Sequence, residues 1–322
     1  MVTKGPRVYV SNEDSNDISI IDSATDEVVA TVFVGKRPRG IRLAPDGKTL
    51  YVAMSGSPKM PPNAPRDAAP PPADRKADGI AAVDVATLAV SRIVPSGQDP
   101  ETFDLTPDGK FLYVSNEESA QASLVDLTDW KVVKTIAVDD EPEGVAMKPA
   151  GDFVYVTSEV GNKVFAISTK DNAVKATIET GPRPRGVIFT PDGKLGFITE
   201  EQGASITVVD ANKHRIKTHI KLDSTARPMG TAMSADGKTA YITTGRGKTV
   251  VYIDTATARP TKIIDDVGVR PWGIGLTPDG KKLYTANGPS NDVSVIDVAT
   301  AAIIGKIKAG SLPWGVVVAK AP

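Results

Sequence analysis

One tripeptide constrains this chain more than its composition does. Pro-x-Gly occurs at Pro38-Arg39-Gly40, Pro142-Glu143-Gly144, Pro184-Arg185-Gly186, Pro228-Met229-Gly230, Pro271-Trp272-Gly273 and Pro313-Trp314-Gly315, with a degenerate copy at Pro100-Glu101-Thr102. The prolines lie 62, 42, 42, 44, 43 and 42 residues apart. Only the first interval is long, and it contains a Pro-rich insertion over residues 56–78. A fixed period in this range marks a repeat architecture, in which each unit buries its apolar face only against its neighbours.

Each unit reads as four short strands. After the tripeptide comes an apolar stretch such as Ile41-Arg42-Leu43-Ala44, then a turn such as Pro45-Asp46-Gly47. Proline presets one turn dihedral and glycine accepts positive φ, so the chain reverses there. A second strand follows (Leu50-Tyr51-Val52, Leu112-Tyr113-Val114, Val154-Tyr155-Val156), then a polar loop and a third strand ending in aspartate (Ile20-Ile21-Asp22, Val125-Asp126, Ile296-Asp297). A fourth strand, such as Val28 to Val32 or Lys131 to Ile136, completes the unit. Alternating β-branched residues between closely spaced turn signals predict an all-β fold. The spacing predicts one domain over 1–322, a seven-bladed β-propeller of four-stranded antiparallel blades. The chain starts with strands two to four of a unit and ends with a lone first strand, Gly315 to Val318. Closure is therefore expected by the C-terminal strand joining the three N-terminal strands.

Composition narrows the function. The chain has 38 basic and 39 acidic residues for a net charge of −1, which gives no electrostatic grip on nucleic acid or anionic lipid. With no cysteine, disulfides, thiolate metal sites and cysteine nucleophiles are excluded. No apolar run approaches the ~18 residues a membrane-spanning helix needs. Met1 to Pro6 carries no apolar signal core, so the expectation is a periplasmic or secreted protein whose leader is absent, or a cytoplasmic one.

Tyr-Val-Ser-Asn at 9–12 and 113–116, with Asn291 to Asp297 downstream of Tyr284, resembles the YVTN-repeat propeller family. Gly97-Gln98-Asp99-Pro100-Glu101, Glu141-Pro142-Glu143-Gly144 and Leu312-Pro313-Trp314-Gly315-Val316 resemble its subgroup found beside PQQ-dependent alcohol oxidation systems. The resemblance covers essentially the whole chain. It implies an exported propeller without an agreed activity, and some of these relatives bind single-stranded DNA.

In a four-stranded meander, alternate turns lie at opposite edges. The connections before strand one and the loops between strands two and three therefore share a rim. The former are mostly basic (Lys36 to Arg39, Arg183, Arg185, Arg227, Arg270) and the latter acidic (Glu13, Asp14, Glu117, Glu118, Glu159, Glu200, Glu201). Arg39, Glu101, Glu143, Arg185, Met229, Trp272 and Trp314 stand between the Pro and Gly of each repeat and are expected to ring the channel mouth. Their variety within fixed flanks suits a ligand surface, with Trp272, Trp314 and Arg39 as an aromatic–cation sector and Glu101 and Glu143 as an acidic one. The plainer reading is a channel plug held by salt bridges between blades. The 56–78 insertion in the second blade lies on the same rim, as a lid, a docking arm or an inert extended excursion.

Glu13, Glu117, Glu159 and Glu200, with Asn12, Asn116 and Asn287, offer oxygens to Ca²⁺ or a similar hard cation, the logic of six-bladed lactonases. His214 and His219, five apart in an outer strand, point to opposite faces and read as surface residues. No Gly-x-Ser-x-Gly elbow or phosphate loop is present. The leading expectation is a monomeric, cofactor-free binding or accessory propeller that presents its Arg/Glu/Trp rim to a small molecule or protein partner. A metal-assisted hydrolase or lactonase at the acidic rim is the alternative. Nucleic-acid binding is the third, and the acidic loops count against it.

Overall fold

A computed structural model of the chain describes residues 3–59, 69 and 71–319. Every strand pair is antiparallel, and the strands form seven four-stranded sheets. Blade 1 sets Pro313–Val318 beside Arg7–Asn12, Asp17–Asp22 and Glu27–Phe33. Blades 2 to 7 each take four consecutive strands, starting at Pro38, Pro100, Pro142, Pro184, Pro228 and Pro271. The C-terminal strand pairs Val318, Val317 and Val316 with Val8, Tyr9 and Val10, which closes the ring as the repeat predicts. Among the described residues, no helix is long and apolar enough to cross a membrane.

The core lies between blades rather than within them. Tyr9, Ile18 and Ile20 of blade 1, for example, pack with Ile41, Leu50 and Val52 of blade 2. The third residue of strand two is aromatic in every blade (Tyr9, Tyr51, Tyr113, Tyr155, Phe197, Tyr241, Tyr284), and each is buried. A buried phenol needs a partner for its hydroxyl, and in three blades the next blade supplies it. Tyr284 donates to Asp26 Oδ1 at 2.5 Å, Tyr113 donates to Asn172, and the Tyr155 hydroxyl lies 2.7 Å from His214 Nδ1.

His214 thus corrects the expectation of a surface histidine. It sits in the left-handed turn ahead of the outer strand (φ 51), its ring 4.3 Å from that of Phe153, where it latches blade 5 to blade 4. Burial, with the charge of Lys148, holds its pKa below the ordinary histidine value. His219 is exposed in the strand, 3.0 Å from the Thr207 hydroxyl.

The described ends of the insertion rest on the rim. Lys59 reaches Glu13 at 2.8 Å, Asp74 reaches Lys36 at 2.6 Å, and Arg75 pairs with Glu118. Residues 60–68 and 70, on which the lid or arm expectation depends, lie outside the described residues.

Candidate active site

The Ser or Thr at the fifth residue of strand two positions the channel mouth. In five blades the Ser or Thr hydroxyl of strand two donates to the carbonyl of the next blade's Pro-x-Gly residue: Ser11 to Arg39, Ser115 to Glu143, Thr157 to Arg185, Thr199 to Met229 and Thr243 to Trp272, at 2.6–3.0 Å. The same hydroxyl accepts an N–H from its own blade, as from Gly144 to Thr157 at 2.7 Å and from Gly230 to Thr243 at 2.9 Å. Glycine is required where blade 4 meets blade 5, since a Cβ on Gly144 would stand 1.9 Å from the Arg185 carbonyl oxygen. Replacing Thr157 with Val keeps the shape and leaves a buried N–H and C=O unpaired. The expected loss is about 2 kcal/mol of stability, read as a lower urea midpoint at unchanged slope.

Three positions per blade face the mouth. The Pro-x-Gly residues form one ring, and the residues that follow strand two (Glu13, Ser55, Glu117, Glu159, Glu201, Gly245, Gly288) form a second. The residues before the proline form the third: Arg37, Asp99, Glu141, Arg183, Arg227, Arg270 and Leu312. None of these last is glycine, yet all have φ between 45° and 60°. The left-handed conformation costs a non-glycine residue of order 1 kcal/mol, and strain of this kind gathers at functional sites.

Charge sorts the mouth into sectors. Buried Arg39 pairs with Asp99 and Glu101 and lies 3.6 Å from Glu117. Arg185 reaches Glu143 at 2.8 Å, Glu159 at 2.7 Å and Glu201 at 2.9 Å, while Arg183 reaches Glu159 at 2.6 Å. Of the predicted ring, Arg39, Glu101, Glu143 and Arg185 therefore join inter-blade ion pairs, and Met229, Trp272 and Trp314 line the channel. The expected grouping of Arg39 with the tryptophans is corrected. The cation over an aromatic is Arg270, 5.2 Å from the Trp272 ring, and that ring lies on Gly288, where a Cβ would meet it at 2.6 Å.

Crowding shifts the carboxyls. Burial, with the charges of Glu143, Asp99 and Glu141, pushes Glu117 up to about 7 against the pull of Arg39. Burial and Glu143 also raise Glu159, opposed by Arg185 and Arg183. Glu201 stays below its ordinary value because Arg185 and Arg183 outweigh its burial.

The metal candidates do not converge. Glu13 pairs with Arg37 and Lys59, Glu159 with Arg183 and Arg185, and Glu200 turns into blade 5 to accept from Gly181 N at 2.8 Å and from Ser205 and Thr207. Oxygens of Asp99, Glu101 and Glu117 do lie within 4.8 Å of one another. The Arg39 guanidinium already faces all three, however, and Ca²⁺ requires about 6–8 oxygens. The donor set fits arginine rather than a hard cation.

Between the rings, the axial channel encloses about 120 Å³, bounded by Glu143, Arg185, Met229, Trp272 and Trp314. A cavity of about 150 Å³ takes up benzene, so this one suits a single small ring. A sequence model of the family described as "Lactonase, 7-bladed beta-propeller" matches residues 1–131. The chain is a seven-bladed propeller whose N-terminal part matches a lactonase family.

The periplasmic gluconolactonase of Pseudomonas aeruginosa superposes with a TM-score of 0.76 at 18% identity, over 98% of this chain and 99% of that one. A putative 6-phosphogluconolactonase from Bacteroides uniformis ATCC 8492 superposes at 0.77 and 16% identity, over 97% and 99%. Both likenesses are of fold. Antigen Lp49 of Leptospira interrogans is 31% identical over 138 residues, which span 34% of this chain and 30% of that protein. The leading expectation of a non-enzymatic accessory propeller is overturned by the family match, which favours the lactonase alternative.

Proposed function

We propose that the channel mouth hydrolyses a small lactone, with Glu117 as general base. The observation that carries this is a partly exposed carboxyl poised near neutral pH beside a ring-sized channel lined by a guanidinium and two indoles. A base works best when its pKa lies near the working pH. The lactone ring rests against Trp272 and Trp314, and Glu117 takes a proton from the attacking water. Arg185, whose charge the surrounding carboxylates secure, stabilises the tetrahedral oxyanion. Collapse breaks the ring C–O bond, and the proton held by Glu117 passes to the departing alkoxide. The product is a hydroxy acid whose new carboxylate is repelled by the acidic sector.

No metal enters this reading, because arginine already neutralises the carboxylates. An exported location belongs to the same proposal: the gluconolactonase that shares the fold is periplasmic, and a chain without cysteine has no thiol to oxidise there. The test is a pH-stat assay of γ- and δ-lactones of sugar acids, before and after a chelator. Saturable hydrolysis above the spontaneous rate, unchanged by chelation, is expected. No turnover across the panel, or turnover abolished by the chelator, contradicts the proposal.

A further inference from the structure

Beside the channel, over blades 5 to 7, lies a second concavity of about 350 Å³. It is bounded by Arg183, Arg185, Arg227, Arg246 and Arg270, with only Glu201 and Gln202 between them. With Glu143 and Glu159 counted as partners of Arg183 and Arg185, five guanidiniums face three carboxylates, a local cationic excess in a chain whose net charge is −1. Arg183 and Arg185 have carboxylate partners, and Arg227 donates to the Gln202 carbonyl at 3.2 Å. Among the described residues, no carboxylate lies within ion-pairing reach of Arg246 or Arg270, and the buried Arg270 Nε has no hydrogen-bond partner. Burial and the charges of Arg185, Arg246 and Arg183 disfavour the Arg270 cation, against the pull of Glu201.

Like charges held together on rigid blades form a preorganised trap for an anion. Guanidinium forks match tetrahedral oxyanions in two-point contacts. Two unneutralised cations, with a third bound only to carbonyls, call for a ligand with more than one negative charge. A cavity of this size holds a small molecule.

We propose that this arginine basin binds a phosphate-class dianion, either the free ion or the phosphoryl group of a small metabolite. The site does not depend on lactone cleavage. It shares only Arg185 with the lining of the channel, and Arg227, Arg246 and Arg270 belong to blades 6 and 7, whereas Asp99, Glu101, Glu117 and Glu143 belong to blades 3 and 4.

Calorimetric titration of the full chain at fixed ionic strength tests this, with inorganic phosphate, a sugar phosphate and acetate as probes. Both phosphates are expected to bind and acetate far more weakly. Arg246→Ala, an exposed position whose loss leaves folding intact, and the double variant with Arg270→Ala should each weaken phosphate binding by roughly tenfold or more. Tighter binding of the sugar phosphate identifies a metabolite ligand, and equal binding identifies the free ion. No binding at millimolar phosphate, acetate binding as tightly, or affinity unchanged in both variants overturns the proposal. Hydrolysis of neutral lactones should persist in Arg246→Ala. Absence of that hydrolysis in the wild type would defeat the catalytic reading and leave the basin standing.

Discussion

Truncation after Gly310 is expected to abolish cooperative folding. It removes Pro313–Val318, the inner strand of blade 1, and with it the ladder partners of Val8, Tyr9 and Val10. Both neighbouring blades lose their packing too: Ile41 of blade 2 lies against Gly315, and Gly275 of blade 7 lies against Val316. Val8, Val10 and Ile41 are now at most 1% exposed. At roughly 1.5–3 kcal/mol each, uncovering them alone costs about 5–9 kcal/mol, against a typical total stability of about 5–15 kcal/mol. Circular dichroism melts should lose the sharp transition, and exposed apolar surface should bind a hydrophobic dye. A sharp melt at the full-length midpoint would mean that the ring does not depend on this closure.

Glu117→Gln is expected to move activity and stability in opposite directions. Loss of a general base removes roughly 10²–10⁴-fold of the rate. The same carboxyl is a burden to the fold when ionised. Its pKa rises from 4.5 to about 7 on folding, so between those values the folded chain holds a proton that the unfolded chain has released. Stability from this group therefore falls as pH rises through that window, and above about 7 the full cost applies, at most about 3 kcal/mol. The neutral amide escapes that cost. Glu117→Gln should unfold at higher denaturant than wild type above neutral pH and at the same denaturant near pH 4. A variant both inactive and less stable at alkaline pH would show that Glu117 is a structural ion-pair partner.

Much of the fold was legible because repetition multiplies weak signals. A single Pro-Asp-Gly turn predicts little, whereas four of them in phase with seven prolines leave few alternatives. The Pro-x-Gly residues were legible as a ring for the same reason. Their partners were not. Asp99, Arg183 and Arg270 face the mouth through a left-handed backbone conformation that sequence usually reveals by glycine, and no glycine stands at those positions.

Arg39 has Trp314 on one side of the ring and Glu101 on the other, and local sequence does not say which it joins. Charge-assisted hydrogen bonds to buried carboxylates, at roughly 1.5–3 kcal/mol, outweigh a cation–π contact. His214 did leave a trace: Asp26 and Asn172 occupy the same turn in their blades, each facing a tyrosine from the blade before. From sequence, Glu117 offers only an oxygen to a cation. Its altered acidity comes first from burial and then from Glu143, Asp99 and Glu141, drawn from two blades, and no local motif encodes that.

The pH dependence of kcat/KM on one neutral lactone, in wild type and Glu117→Gln, bears most directly on hydrolysis at the mouth, because kcat/KM reports the groups of the free protein. The wild type should gain activity as pH rises, with a midpoint near 7, as Glu117 loses its proton. The variant should be slow and flat across the same range. Equal rates, or the same acid limb in both proteins, would place the chemistry elsewhere.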